Sequence, residues 1–301
     1  MDHLSSKILM ISPVKFRNNE HTLSDNVFQS RENKIDKIQL NALKEFDKLR
    51  NVISKSGISV FSFNDDSDFD TPDAVFPNNW ISFHNSNKAI LYSMYAPNRR
   101  FERESNLLNK LSGCGIDIKI IKDYSIHENE NKFLEGTGSI VLDRKSKKAY
   151  CSLSKRSDLE LFKIFCKDMG YLPIVFNSSY QSKPIYHTNV MMSICNNFAI
   201  VCLETIINKK EKENIIKNLY DSGLEIINIS LDQMTSFLGN CIQLTNSKFS
   251  PILVMSSRAF KSISRSQLKL IENHTDIIHS DIKTIEDNGG GSVRCMIAEI
   301  F

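Results

Sequence analysis

Three residue types at three glycine-rich or turn-like loops could together do covalent chemistry. The sequence ends GGGSVRCMIAEIF, and only six residues follow Cys295. A thiol is a strong nucleophile even when only a small part of it is ionised. The flanking glycines let the backbone approach a reacting carbon closely, and Arg294 beside it is a candidate to lower the thiol pKa. His187, in YHTN, is the candidate general acid–base. Glu135, in LEGTGS, is a carboxylate placed to orient or charge His187, or to bind a substrate N–H. Asn79 in FPNNW and Asn189 in HTN are amides that can donate and accept. Asn240, in LGN, reads as a structural turn.

The same residue types have blander uses. Cys114, Cys151, Cys166, Cys195 and Cys202 read as small hydrophobes, with Cys241 left open beside its loop. His84, His127, His274 and His279 read as structural. What separates Cys295, His187 and Glu135 from these is a repeat. Apolar strand candidates recur at 8–12, 89–94, 139–143, 199–203 and 251–256. Helix-like segments follow at 34–57, 98–115, 156–170, 209–223 and 264–274, the first four ending at a glycine. A second strand follows each helix, at 58–63, 116–121, 172–176, 224–230 and 276–282. Then comes one of the five loops.

Asn79, Glu135, His187, Asn240 and Cys295 mark those loops at intervals of 56, 52, 53 and 55 residues. Five such units suggest an α/β fold: a ring about a pseudo-fivefold axis, helices outward, loops converging on one centre. No unit could bury a core alone, so one domain over 1–301 is expected. The acidic stretch 64–73 and the KSKK turn at 145–148 read as surface loops. The apolar tail after Cys295 reads as a buried strand that closes the ring.

Composition narrows the function classes. Formal net charge is +3, from 38 basic and 35 acidic side chains, which is too even to argue for nucleic acid or an anionic membrane. No apolar run approaches ~18 residues, so no spanning helix is expected, and the first residues lack a signal-peptide pattern. Seven scattered cysteines without a C-x-x-C pair fit a reduced cytoplasmic protein. No metal-ligand cluster stands out, and thiol chemistry needs neither metal nor cofactor.

HTN before an apolar strand, LEG, FPNNW and GGGSVRCM together resemble the pentein superfamily of arginine deiminases, dimethylarginine hydrolases and amidinotransferases. MISPVKFRNNEHTLSDNVFQ, at 10–29, resembles its citrulline-utilisation hydrolase branch, departing at Ser12 where an arginine is expected. The resemblance covers almost the whole sequence. It implies a fivefold α/β propeller, a nucleophile at Cys295, an acid–base at His187, an acidic partner at Glu135 and a homo-oligomer. Arginine deiminases grip their guanidinium with aspartates in F-x-x-D and H-x-D. Here those positions are Phe76-Pro-Asn-Asn79 and His187-Thr-Asn189.

That double change matters chemically. A guanidinium is a cation that calls for anionic partners. A ureido group is neutral, with one carbonyl acceptor and N–H donors. Two amides suit the second, so citrulline is the expected small-molecule substrate, cleaved to ornithine, ammonia and carbon dioxide through S-carbamoyl Cys295. Phe76 is a candidate to pack on the substrate. Arg100, Arg258 and Arg294 are candidates to clamp its α-carboxylate. Alternatives are a guanidino hydrolase of the deiminase or dimethylarginine type, and a non-catalytic pentein scaffold.

Overall fold

The computed structural model describes residues 3–22, 26, 28–29 and 35–301. Its main-chain pairing repeats one scheme in five three-stranded sheets. In each, the middle strand runs antiparallel to one neighbour and parallel to the other. The first unites Ala298–Ile300, Lys7–Ser12 and Ser59–Asn64, so both ends of the described chain share one sheet. The others follow in chain order: Ile81–His84, Lys88–Leu91 and Lys119–Asp123; Val141–Asp143, Lys148–Ser152 and Leu172–Phe176; Met192–Ile194, Phe198–Val201 and Glu225–Asn228; Ile242–Thr245, Pro251–Ser256 and Asp276–Ser280. Each middle strand is mostly buried, as a strand covered on both faces must be.

A parallel pair needs a crossover, and a helix supplies each one. These are Ile35–Lys55, Leu107–Gly113, Leu159–Met169, Lys209–Asp221 and Arg265–Glu272. On the first, Ile38, Ala42, Phe46, Leu49 and Ile53 form one buried face at helical spacing. Local signals set the ends. Asp158 accepts from the Leu161 N–H, Gly170 ends its helix in the left-handed conformation, and Ser264 with Gln267 forms a capping box.

Two elements differ from the sequence reading. The sequence pattern makes 139–143 the opening strand of the third unit, but Val141–Asp143 is that sheet's antiparallel edge. The middle strand is Lys148–Ser152, reached through the 145–148 turn with Lys147 at φ 54°. Only the hairpin distinguishes the two, since both strands are short and apolar. The second unit's helix is also broken, into Pro97–Arg100, a 3-10 turn Phe101–Glu104 and Leu107–Gly113. Ser105 is extended between them, and the break leaves Arg99 turned inward onto Glu102.

The edge strands bring successive sheets together. Ala298–Ile300 touches Ile81–His84, and Met192–Ile194 touches both Val141–Asp143 and Ile242–Thr245. The loops flanking these edge strands carry the residues of interest.

Candidate active site

Four loops meet by close backbone approach. The Pro77–Asn79 turn, begun by a proline, buries Asn79. Glu135 precedes the Gly136–Ser139 turn, and His187 precedes the Thr188–Met191 turn. Gly138 lies where the three meet. A Cβ there would stand 2.3 Å from Asn79 Nδ2 and 2.8 Å from His187 Nδ1, so only glycine fits. On the fourth loop, a Cβ at Gly289 would fall 2.7 Å from the Phe76 ring. The glycine run before Cys295 therefore lets that loop lie flat on Phe76.

His187 and Glu135 form a buried pair. Nε2 and Oε2 are 2.7 Å apart, and Glu135 Oε1 accepts the Tyr95 N–H at 2.9 Å. Arg156 Nη1 stands 3.6 Å from the same carboxylate. Burial alone would raise the Glu135 pKa; the Arg156 guanidinium and the His187 hydrogen bond outweigh it and lower it to about 2. Burial lowers the His187 pKa despite Glu135, so a neutral imidazole faces an ionised carboxylate at neutral pH. Such an imidazole can accept a proton and has its counter-charge in place when it does.

The Cys295 thiol is buried, and burial raises its pKa. Its sulfur receives Asn240 Nδ2 at 3.3 Å and Asn189 Nδ2 at 3.6 Å. With the Arg294 charge, these amides pull the thiol pKa back down in part.

In front of the sulfur lies a narrow cleft lined by Cys295, His187, Asn79, Phe76, Asp73, Arg99, Arg156 and Tyr186 among others. Thr22, Asn26, Gly289 and Gly291 complete it. Asn79 Oδ1 accepts Arg99 Nη1 at 2.8 Å, and Asn79 Nδ2 has no hydrogen-bond partner among the described residues. Arg99 also holds Glu102, at 2.7 Å through Nε, and the Phe76 carbonyl, at 3.1 Å. Asp73 accepts from Asn19 through Oδ2 at 2.7 Å, while its buried Oδ1 has no partner among the described residues.

All five loop markers thus come together. Asn189, expected to bind substrate, instead sits against the sulfur and does not line the cleft. Asn240, read from sequence as a turn residue, reaches the sulfur as well. The three candidate clamp arginines lie elsewhere. Arg100 donates to the Met94 carbonyl at 3.0 Å, and Arg258 is paired with Glu286 and Asp287 at 3.0 and 2.5 Å. Arg294 bonds the Ile297 carbonyl and Glu299, at 3.0 and 3.1 Å, and lines a second cavity that Cys295 does not line. None of the three lines the cleft, and this absence is what sets them apart from Arg99 and Arg156.

The arginines that do line the cleft are Arg99 and Arg156, neither of which stands out from its neighbours by residue type. A signal existed: Arg99 follows Asn79 by 20 residues and Arg156 follows Glu135 by 21, equivalent places in successive units. Asp73 was hidden in the acidic stretch read as surface. The stretch is exposed at 64, 66 and 68–70, as a surface loop should be, but Asp65 and residues 71–73 are buried, and Lys15 donates to the Phe69 carbonyl at 2.9 Å. Among the described residues no group of three or more His, Cys, Asp or Glu is arranged to hold a metal ion. No helix among them is long and apolar enough to cross a membrane.

The chain falls in the pentein superfamily of carbon–nitrogen hydrolases. The family model for eukaryotic N,N dimethylarginine dimethylhydrolase matches residues 12–301, and the chain belongs to that family. No curated protein gives a match. Among solved structures, the substrate-bound N-terminal domain of ArgZ, an arginine dihydrolase of the cyanobacterial ornithine–ammonia cycle, aligns with TM-score 0.76 at 16% identity over 98% of this chain and 97% of its own. The complex of AgrE with L-arginine aligns with TM-score 0.73 at 14% identity, over 98% of this chain and 40% of its own. The dimethylarginine hydrolase of Pseudomonas aeruginosa, complexed with citrulline, gives TM-score 0.67 at 15% identity, over 99% and 100%. At such identities the likeness speaks for the fold.

Proposed function

We propose that this chain hydrolyses the ureido group of citrulline to ornithine, ammonia and carbon dioxide, with Cys295 as nucleophile. One observation carries the choice of substrate. A guanidinium only donates, so the Asn79 atom facing Arg99 must be the oxygen. The amide end left over is a donor, which suits a carbonyl oxygen and repels a second guanidinium. It also suits the oxyanion that forms when sulfur attacks that carbonyl.

The reaction then runs in two halves. Cys295 gives its proton to His187, and the sulfur lone pair forms a bond to the ureido carbon. The bond from that carbon to the ornithine nitrogen breaks as His187 returns the proton to the departing amine. Water, deprotonated by His187, attacks the S-carbamoyl group; the carbamate released decomposes to ammonia and carbon dioxide. Glu135 stays ionised throughout and balances the imidazolium. Arg99 and Arg156 replace the earlier candidates for holding the α-carboxylate, and Asp73 is the partner for the α-ammonium. The five repeated sheets are taken as one domain, a fivefold propeller with the loops at its axis.

A second reading rests on Asp73. Its unpartnered buried oxygen could grip a cation at the reacting end of the cleft, which would make the enzyme a guanidino hydrolase like the dimethylarginine hydrolases of its family. Intact-mass spectrometry of enzyme quenched during turnover separates the two. Citrulline should leave one carbamoyl group on Cys295, and none on Cys295→Ala. An adduct formed only with arginine or dimethylarginine would favour the second reading.

A further inference from the structure

The acid–base account leaves Asn240 without a task, yet its side chain is the most constrained group touching the sulfur. Nδ2 donates to the Asn189 carbonyl at 2.8 Å, and Oδ1 accepts the Cys295 N–H at 3.4 Å. A carbonyl can only accept and a backbone N–H can only donate, so these two bonds settle which end of the amide is which. The NH2 group is therefore the end that meets Sγ, at 3.3 Å. Asn189 is less determined: its Nδ2 and Oδ1 lie 3.6 and 3.8 Å from the same sulfur.

The loop is built to hold this geometry. Phe237, a bulky non-glycine residue, sits at φ 63°. A Cβ on Gly239 would lie 2.5 Å from the Val190 carbonyl oxygen, so the chain must pass tightly there. Asn240 is 1% exposed, which keeps water from competing for the sulfur. Backbone in a sparsely populated region persists only where its surroundings over-determine it, and such places cluster at functional sites.

A cationic substrate would help hold Cys295 as an anion; a neutral one cannot. A thiolate accepts hydrogen bonds far better than a thiol, so a fixed donor at the sulfur favours the ionised form. We infer that Asn240 is a catalytic residue, whose amide stabilises the Cys295 thiolate as its proton passes to the His187 imidazole. The inference depends on Cys295 as nucleophile and on no particular substrate. The other charged or titratable groups around the sulfur are Arg294, next in the chain, and His187, Arg156, Arg99 and Asp73 across the cleft, with Glu135 bonded to His187. Substitution at Asn240 leaves all of them in place.

The test is the pH dependence of iodoacetamide alkylation, resolved by cysteine through peptide mass spectrometry and run without substrate. Exposed Cys114 serves as the reference within each sample. Losing one hydrogen bond to the charged form should move the Cys295 midpoint up by about one to two pH units in Asn240→Ala. Asn240→Asp, nearly the same size, loses the donor and adds a like charge, so its shift should be larger. Cys114 should not move. A Cys295 midpoint within experimental error of wild type in either folded variant would overturn the inference. So would loss of cooperative melting in both variants, which would make Asn240 structural. Because no substrate is present, either result leaves the ureido reading to its own test.

Discussion

Asn79 and Arg99 are joined by a 2.8 Å hydrogen bond from Nη1 to Oδ1, and this bond turns the Asn79 NH2 group toward Gly138 and His187. An aspartate at this position could still accept from Arg99, but would present a charged acceptor where the amide presents a donor. Asn79→Asp should therefore lower kcat/KM for citrulline by roughly 100-fold or more, the usual effect of removing one transition-state donor. It should also strengthen binding of arginine as an inhibitor. Steady-state kinetics with citrulline and an arginine titration read both. Undiminished citrulline turnover would remove the electrostatic argument. The single variant is the clean one, because Asn189 touches the sulfur and its change would disturb the nucleophile as well.

The His187–Glu135 pair gives a pH signature. Against the effect of burial, Arg156 and the His187 hydrogen bond hold the folded Glu135 carboxyl at about 2, below the ordinary carboxylate range. A lowered carboxylate pKa contributes stability that is present above the unfolded value and is lost as pH falls through the folded one. Melting temperature of the wild type should thus drop between about pH 5 and pH 2. Glu135→Gln, which lacks the ionisation, should show a shallower acid slope and a kcat lower by about 100-fold or more. Parallel acid slopes in the two proteins would mean that the pair contributes no linked stability.

Gly138 tests the convergence of the loops. A methyl group at Gly138 would meet Asn79 Nδ2 and His187 Nδ1 at 2.3 and 2.8 Å, so both side chains must move. Gly138→Ala should cost about 1–3 kcal/mol of stability from overpacking, and kcat by around 100-fold through misplacement. Denaturant titration and initial rates measure the two separately. Wild-type kcat in this variant would show that the contact has no part in positioning the reacting groups.

The arginines give a contrast. Arg156 is buried against Glu135 and the Tyr186 ring and lines the cleft. Arg156→Lys keeps a cation but loses the planar fork, and should raise KM for citrulline about 10-fold or more, one charge-assisted hydrogen bond's worth. Arg100→Ala, outside the cleft, should leave KM unchanged. If Arg100→Ala raised KM and Arg156→Lys did not, the assignment of the carboxylate clamp would be reversed.

The sequence carried the positions of the loops better than the directions of side chains. Near-constant spacing located Asn79, Glu135, His187, Asn240 and Cys295, because each unit repeats one path of strand, helix and strand. The same spacing links Arg99 to Arg156, but adjacent Arg100 has identical chemistry. Only the broken helix at Ser105 and the acceptors Glu102 and Phe76 decide which arginine turns inward. Asn240 suits a turn and occupies one; its reach to the sulfur depends on Phe237 and Gly239, which no pattern of residue types predicts. Lys148–Ser152 is not legible from apolar content, because a hairpin selects the middle strand.

The central claim is that the cleft is made for a neutral ureido group. Purified protein should be incubated overnight, separately, with citrulline, arginine and dimethylarginine, beside a Cys295→Ala control, and assayed for ornithine, citrulline and ammonia. Ornithine and ammonia from citrulline, absent in the control, are the predicted result. Citrulline accumulating from arginine or dimethylarginine, with no ornithine formed from citrulline, would contradict it.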